Sequence, residues 1–161
     1  MTGSKDTKAG RLAALKLLAR RALTTRELVK KLILKGIPFE EAKATAIELE
    51  RQGYIDDRAI IEDFIRRGRE TRLVGRFMLR FELQQRGVDQ NLVEEQLEKL
   101  YPEKDEIAIA REFASRKLKS MSGLPVEKRL RRLGGALQRR GFSHEHIARV
   151  MLELELVEVK D

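Results

Sequence analysis

The residues able to do acid–base or metal chemistry in this chain are few, and their spacing argues against both. His144 and His146 flank Glu145. Helical positions two apart point to different sides, which is poor for a shared metal ion, so both histidines are expected at the surface of a first turn. Asp56 and Asp57 form a carboxylate pair, but their place just before a helical pattern suits capping and the helix dipole. Gly134-Gly135 falls inside a helical pattern, so it reads as a point of close helix packing rather than a phosphate loop. The absence of Cys excludes disulfides, thiolate chemistry and cysteine-ligated zinc. No Ser-His-Asp, Walker or dinucleotide signature is present. No enzymatic activity, metal or cofactor is expected.

The chemistry the sequence does offer is cationic. A net charge of +8 points to a polyanionic partner, and the charge is patterned. Phe64 to Val88 holds seven basic and two acidic residues, and Arg111 to Arg140 holds ten and two. Asp89 to Glu106 reverses this, with seven acids and two bases. On a helical wheel Lys128, Arg132 and Arg139 cluster within about a third of a turn, with Val126, Leu130, Leu133 and Leu137 opposite, facing a core. Arg69, Arg72, Arg76 and Arg80 have similar spacing but straddle a turn. A merely solvated face would mix Glu with Lys at i,i+4; like charges at that spacing repel, so an external anion accounts for the stripe better. The candidate contact set is Arg66, Arg67, Arg69, Arg72, Arg76, Arg80, Lys128, Arg131, Arg132, Arg139 and Arg140. There is no Trp, Tyr is limited to Tyr54 and Tyr101, and most Phe fall at expected packing positions. Contact with DNA should therefore run through phosphates, be salt-sensitive and be weakly sequence-selective, not rest on base stacking. A helix-turn-helix reader fits less well, for want of a recognition helix mixing Asn, Gln and Ser.

The elements that position these cations repeat. Leu32-Ile33-Leu34-Lys35-Gly36, Leu83-Gln84-Gln85-Arg86-Gly87 and Leu137-Gln138-Arg139-Arg140-Gly141 end on glycines 51 and 54 positions apart. Aligned on these glycines, apolar residues fall into columns: Leu28, Leu79, Leu133; then Ile37, Val88, Phe142; then Ala46, Leu97, Met151. Such self-similarity marks a repeat architecture. The one-turn spacing within each copy is helical, and each glycine suits a left-handed helix end. Thr24 with Glu27 reads as a capping box, and Asp89 and Ser143 as N-caps. The spacing predicts helices at about 11–22, 25–36, 39–52, 57–72, 75–87, 90–100, 103–119, 126–140 and 144–156. Residues 120–125 form the loosest stretch. The expected organisation is a disordered tail at 1–10 and three three-helix repeats at 11–56, 57–102 and 103–157. The expected fold is all-α, with the repeats in an elongated, curved array. Phe77, Met78 and Phe81 stand where the first copy has Arg26, Glu27 and Lys30 and the third has Arg131, Arg132 and Gly135. The preferred reading is a central unit packed on both sides, the rival an exposed patch for a partner. No run approaches a membrane span and no signal peptide is evident, so a cytoplasmic monomer is expected.

These residues resemble a known family, the RecX regulators of the RecA recombinase, from Leu12 to Leu154. The resemblance rests on the Leu15–Arg21 helix followed by Thr24-Thr25-Arg26-Glu27-Leu28, then on Gln52-Gly53-Tyr54-Ile55-Asp56-Asp57. It continues through Glu82-Leu83-Gln84-Gln85-Arg86-Gly87-Val88 and Arg139-Arg140-Gly141-Phe142-Ser143. It implies a non-enzymatic negative modulator that lies in the groove of RecA filaments on single-stranded DNA. Such a protein inhibits ATPase, strand exchange and co-protease activity, with consequences for recombination, DNA repair and the SOS response. The basic faces would then meet DNA or the filament. The composition alone equally suits a free-standing, helical, non-specific DNA-binding protein.

Overall fold

The computed structural model describes the backbone from Gly3 to Glu158 and the side chains of residues 8–157. Nine α-helices and no strand are found among the described residues: α1 (Gly3–Leu18), α2 (Thr25–Leu34), α3 (Phe39–Arg51), α4 (Asp57–Arg67), α5 (Arg76–Gln85), α6 (Gln90–Leu100), α7 (Glu103–Lys119), α8 (Val126–Arg139) and α9 (His144–Glu158). The all-helical fold of three-helix repeats expected from the sequence is thus observed.

The repeat's punctuation works as its chemistry requires. Gly36, Gly87 and Gly141 all have positive φ, between 74° and 89°, a region in which a Cβ is strained. The Asp89 carboxylate accepts a hydrogen bond from Leu92 N at 2.9 Å, and the Ser143 hydroxyl one from His146 N at 3.2 Å. Both occupy orphan donors of a first turn. Two boundaries differ from expectation. The first helix begins at Gly3, well before residue 11, and runs through Gly10; Met1 and Thr2 lie outside the described residues. The helix expected over 57–72 closes as α4 at Arg67, followed by a π-helical turn over Gly68–Arg72. Leu73 then adopts φ 50° and turns its side chain into the core.

By contact density the chain divides into two units, Met1–Ile61 with Leu83–Leu92, and Glu62–Glu82 with Val93–Asp161. In the first unit α1, α2 and α3 enclose Ala14, Leu28, Leu32, Ala42, Ala46 and Leu49, all fully buried. Its α2 is fastened at the N-terminus. Thr24 Oγ1 accepts from Glu27 N at 3.1 Å while Thr24 N donates to Glu27 Oε2 at 3.0 Å, the capping box read from the sequence. The Arg86 guanidinium reaches the same carboxylate at 3.0 and 2.9 Å, and Thr24 Oγ1 donates to Arg86 O. Asp56 caps its own helix through Ala59 N at 3.0 Å, whereas Asp57 accepts from Thr25 N at 2.9 Å and so caps α2.

In the second unit α7, α8 and α9 close around Ala110, Ala114, Leu133, Leu137, Phe142 and Val150, with Leu73 joining them. Gly75 is fixed here by close approach. Its N–H donates to Arg140 O at 2.8 Å, and a Cβ on it would stand 2.1 Å from Gly141 O. The turn before α5 is thereby held against the turn between α8 and α9.

Candidate nucleic-acid interface

The α8 helix follows from its sequence pattern. Pro125 precedes it with fixed φ and no lost hydrogen bond. Leu133 and Leu137 are fully buried and Leu130 partly so, which turns Lys128, Arg131, Arg132 and Arg139 toward solvent. Val126, expected on the core side, is 38% exposed, because it stands at the first turn beyond the reach of that core. Burying the leucine stripe fixes the helix rotation, and the rotation displays the cations.

The eleven candidate cations separate into two groups. Arg69 donates to Leu100 O at 2.6 Å, pairs with Asp105 at 3.1 Å and lies over the Tyr101 ring. Arg72 makes a bidentate pair with Glu82, both distances 2.8 Å, above the Phe64 ring. Arg76 is buried and bonded to Glu98. Arg80 holds Glu94 at 2.5 and 3.0 Å. Arg140 donates to Arg72 O and covers the Phe113 ring, and Arg67 pairs with Asp63 one turn back. The hydrogen bonds they donate to Glu82 and Glu94 raise the already high pKa values of Arg72 and Arg80, and Arg80 holds the Glu94 carboxyl below its usual range. These six side chains are engaged by the protein's own acceptors. By contrast Arg66, Lys128, Arg131, Arg132 and Arg139 are exposed and have no anionic partner among the described residues. Four of the five stand on α8.

Three sequence expectations fail in this region. Gly134 and Gly135 make no close helix contact: a Cβ on Gly134 would meet nothing within 4 Å, and one on Gly135 only the Arg139 guanidinium. The pair therefore lies open, beside the cations. His146 is not a surface residue but 9% exposed, its Nδ1 2.6 Å from Glu106 Oε2. Glu106, 3% exposed, also accepts Arg76 N at 2.7 Å through Oε1, and so joins α5, α7 and α9. Such a buried carboxylate needs these donors.

The third failure concerns Phe77 and Phe81, which are 68% and 51% exposed rather than packed; only Met78 of that trio is partly covered, against Gly141. The six Phe divide evenly: Phe113 and Phe142 are buried and Phe64 partly so, whereas Phe39 is exposed along with Phe77 and Phe81. The signal was present in the repeat alignment, since Arg26, Lys30 and Arg131, at the equivalent positions, are exposed too. Phe77 borders an open cleft of about 660 Å³ shared with Gln138 and His144, which sequence spacing did not indicate. No group of three or more His, Cys, Asp or Glu able to hold a metal occurs among the described residues, and no described helix is long and apolar enough to cross a membrane.

Comparison with known proteins gives a consistent answer along the whole array. Residues 11–49 match the RecX first three-helix domain, 56–97 the second and 103–151 the third. The chain is 36% identical to a "Regulatory protein RecX" of Thermobifida fusca over 92% of its own length and 82% of that relative. It is 34% identical to one of Trichlorobacter lovleyi, covering 91% and 96%. Among solved structures, RecX from Lactobacillus salivarius superposes with a TM-score of 0.79, 24% identity and coverage of 95% and 99%.

Proposed function

The chain belongs to the RecX family of regulatory proteins, and on that premise we infer that it is a negative modulator of the RecA recombinase. It acts by binding in the groove of RecA filaments on single-stranded DNA, as a monomer in the cytoplasm, with no catalysis of its own. Its effect is to restrain ATP hydrolysis, strand exchange and co-protease activity, and through them recombinational repair and the SOS response.

One observation supports this reading above the rest. Lys128, Arg131, Arg132 and Arg139 share the exposed side of α8 without an anionic partner among the described residues. Like charges so placed repel, and a phosphate backbone relieves the repulsion while releasing its own counterions. The six engaged cations serve the fold instead.

The test is RecA ATP hydrolysis on single-stranded DNA with the full chain titrated in. Hydrolysis should fall as the protein approaches stoichiometry with RecA. Unchanged hydrolysis, alongside tight binding to naked DNA, would replace this reading with that of a free-standing, non-specific DNA-binding protein.

A further inference from the structure

Phe77 and Phe81 lie one turn apart on α5, and both rings face solvent. Their position is rigid. The backbone of Gly141 sits so close to Met78 that a Cβ there would come within 2.6 Å of Met78 Cβ, and the Arg76 N–H is bonded to buried Glu106. Two large aromatic side chains are thus held in water by a well-anchored helix, although nothing in their own unit covers them.

The surroundings say what fits. The cleft beside Phe77 has no aliphatic residue: apart from Phe142, which is buried, its lining is charged, polar or glycine, with Glu103 and Glu106 as well as Gln138, Ser143 and His144. A nucleobase takes an aromatic face together with donors and acceptors for its edges. Arg76 and Arg80 also reach this cleft, but Glu98 and Glu94 engage them, so the site suits a neutral base more than a phosphate. Phosphates have a place nearby on α8. Gln138 lies two turns from Arg131 on one side of that helix, and Gly134 and Gly135 between them leave room for a backbone to approach. The repeat supports the same assignment. The equivalents of Phe77 are Arg26 and Arg131, and all three are exposed, so an aromatic ring stands where the other copies carry a cation.

We propose that Phe77 and Phe81 form a base-stacking platform for single-stranded nucleic acid, whose phosphates are taken by the cationic face of α8. The platform makes binding selective for single strands, since bases inside a duplex present no free faces. It rests on the phosphate reading of α8 but does not require RecA.

Binding of the full chain to labelled oligothymidylate, to an abasic strand of equal length and to a duplex tests it. Phe77→Ala/Phe81→Ala should weaken oligothymidylate binding by about ten- to a hundredfold and leave the abasic strand and duplex within about twofold. Both side chains are exposed, so circular dichroism should be unchanged. Because the chain has no Trp, Phe77→Trp places a single indole on the platform. Its emission should be quenched by oligothymidylate and not by the abasic strand. Equal affinity of the alanine variant for oligothymidylate, or equal loss for both strands, overturns the proposal. So does an indole that responds to RecA alone and to no DNA, which would assign the rings to a protein partner. If RecA hydrolysis is indifferent to the protein while oligothymidylate binding still depends on the two rings, the recombinase reading falls and the platform stands.

Discussion

Replacing Lys128, Arg131, Arg132 and Arg139 together by alanine separates cations that bind from cations that hold the fold. Each of the four is exposed and unpaired among the described residues, and Ala is the best helix former, so α8 should persist. For single-stranded DNA the logarithm of affinity falls with the logarithm of salt at about −0.7 per neutralised phosphate. Four contacts therefore contribute about −2.8 to the slope, or about fiftyfold in affinity between about 50 and 200 mM salt. Fluorescence anisotropy of a labelled strand across that range should show the quadruple variant with a slope shallower by about that amount. Arg72→Ala and Arg80→Ala provide the contrast. They break the pairs with Glu82 and Glu94, should lower stability by no more than about 1 kcal/mol because both pairs are partly solvated, and should leave the slope alone. An unchanged slope in the quadruple variant, or a shallower one in Arg72→Ala or Arg80→Ala, refutes the division into free and engaged cations.

Other consequences concern stability. Glu106→Ala leaves Arg76 N and His146 Nδ1 without their buried partner; at about 1–3 kcal/mol for each orphaned group, the melting temperature should drop by about 4–24 °C, and a drop below about 3 °C would show the network to be dispensable. Gly134→Ala fills open space in α8 and should raise the urea midpoint by the equivalent of about 0.5–1 kcal/mol. Gly141→Ala, at φ 77° and 2.6 Å from Met78, should lower it by at least about 1 kcal/mol. Burial alone would push the Glu27 carboxyl up, but the Arg86 guanidinium and the Thr24 N–H outweigh it and hold it below the usual range. With the folded value the lower, this carboxylate stabilises the protein above its unfolded pKa of about 4.3, and the contribution disappears as pH falls through the folded value. Urea midpoints between about pH 3 and 7 should therefore decline more steeply on the acid side for the wild type than for Glu27→Gln.

Local rules were sufficient for the helices, the capping box at Thr24 and Glu27, and the left-handed glycines at 36, 87 and 141. Each depends on residues within a few positions of one another, so spacing alone determines it. The exposed cations of α8 were legible for a related reason: the leucine stripe of one helix decides which side faces out. What only the tertiary structure decided was which charged and aromatic groups meet across distant segments. Arg72, Arg76 and Arg80 look as free as Arg132 in the sequence, yet Glu82, Glu98 and Glu94 engage them. His146 looks like a surface residue until α9 presents it to Glu106 on α7. Phe77 and Phe81 look like core because apolar residues usually are, and an apolar side chain carries no mark of whether a neighbour covers it. Those pairings depend on how helices pack in space, and it is the packing that turned basic segments into a few cations left open to a partner.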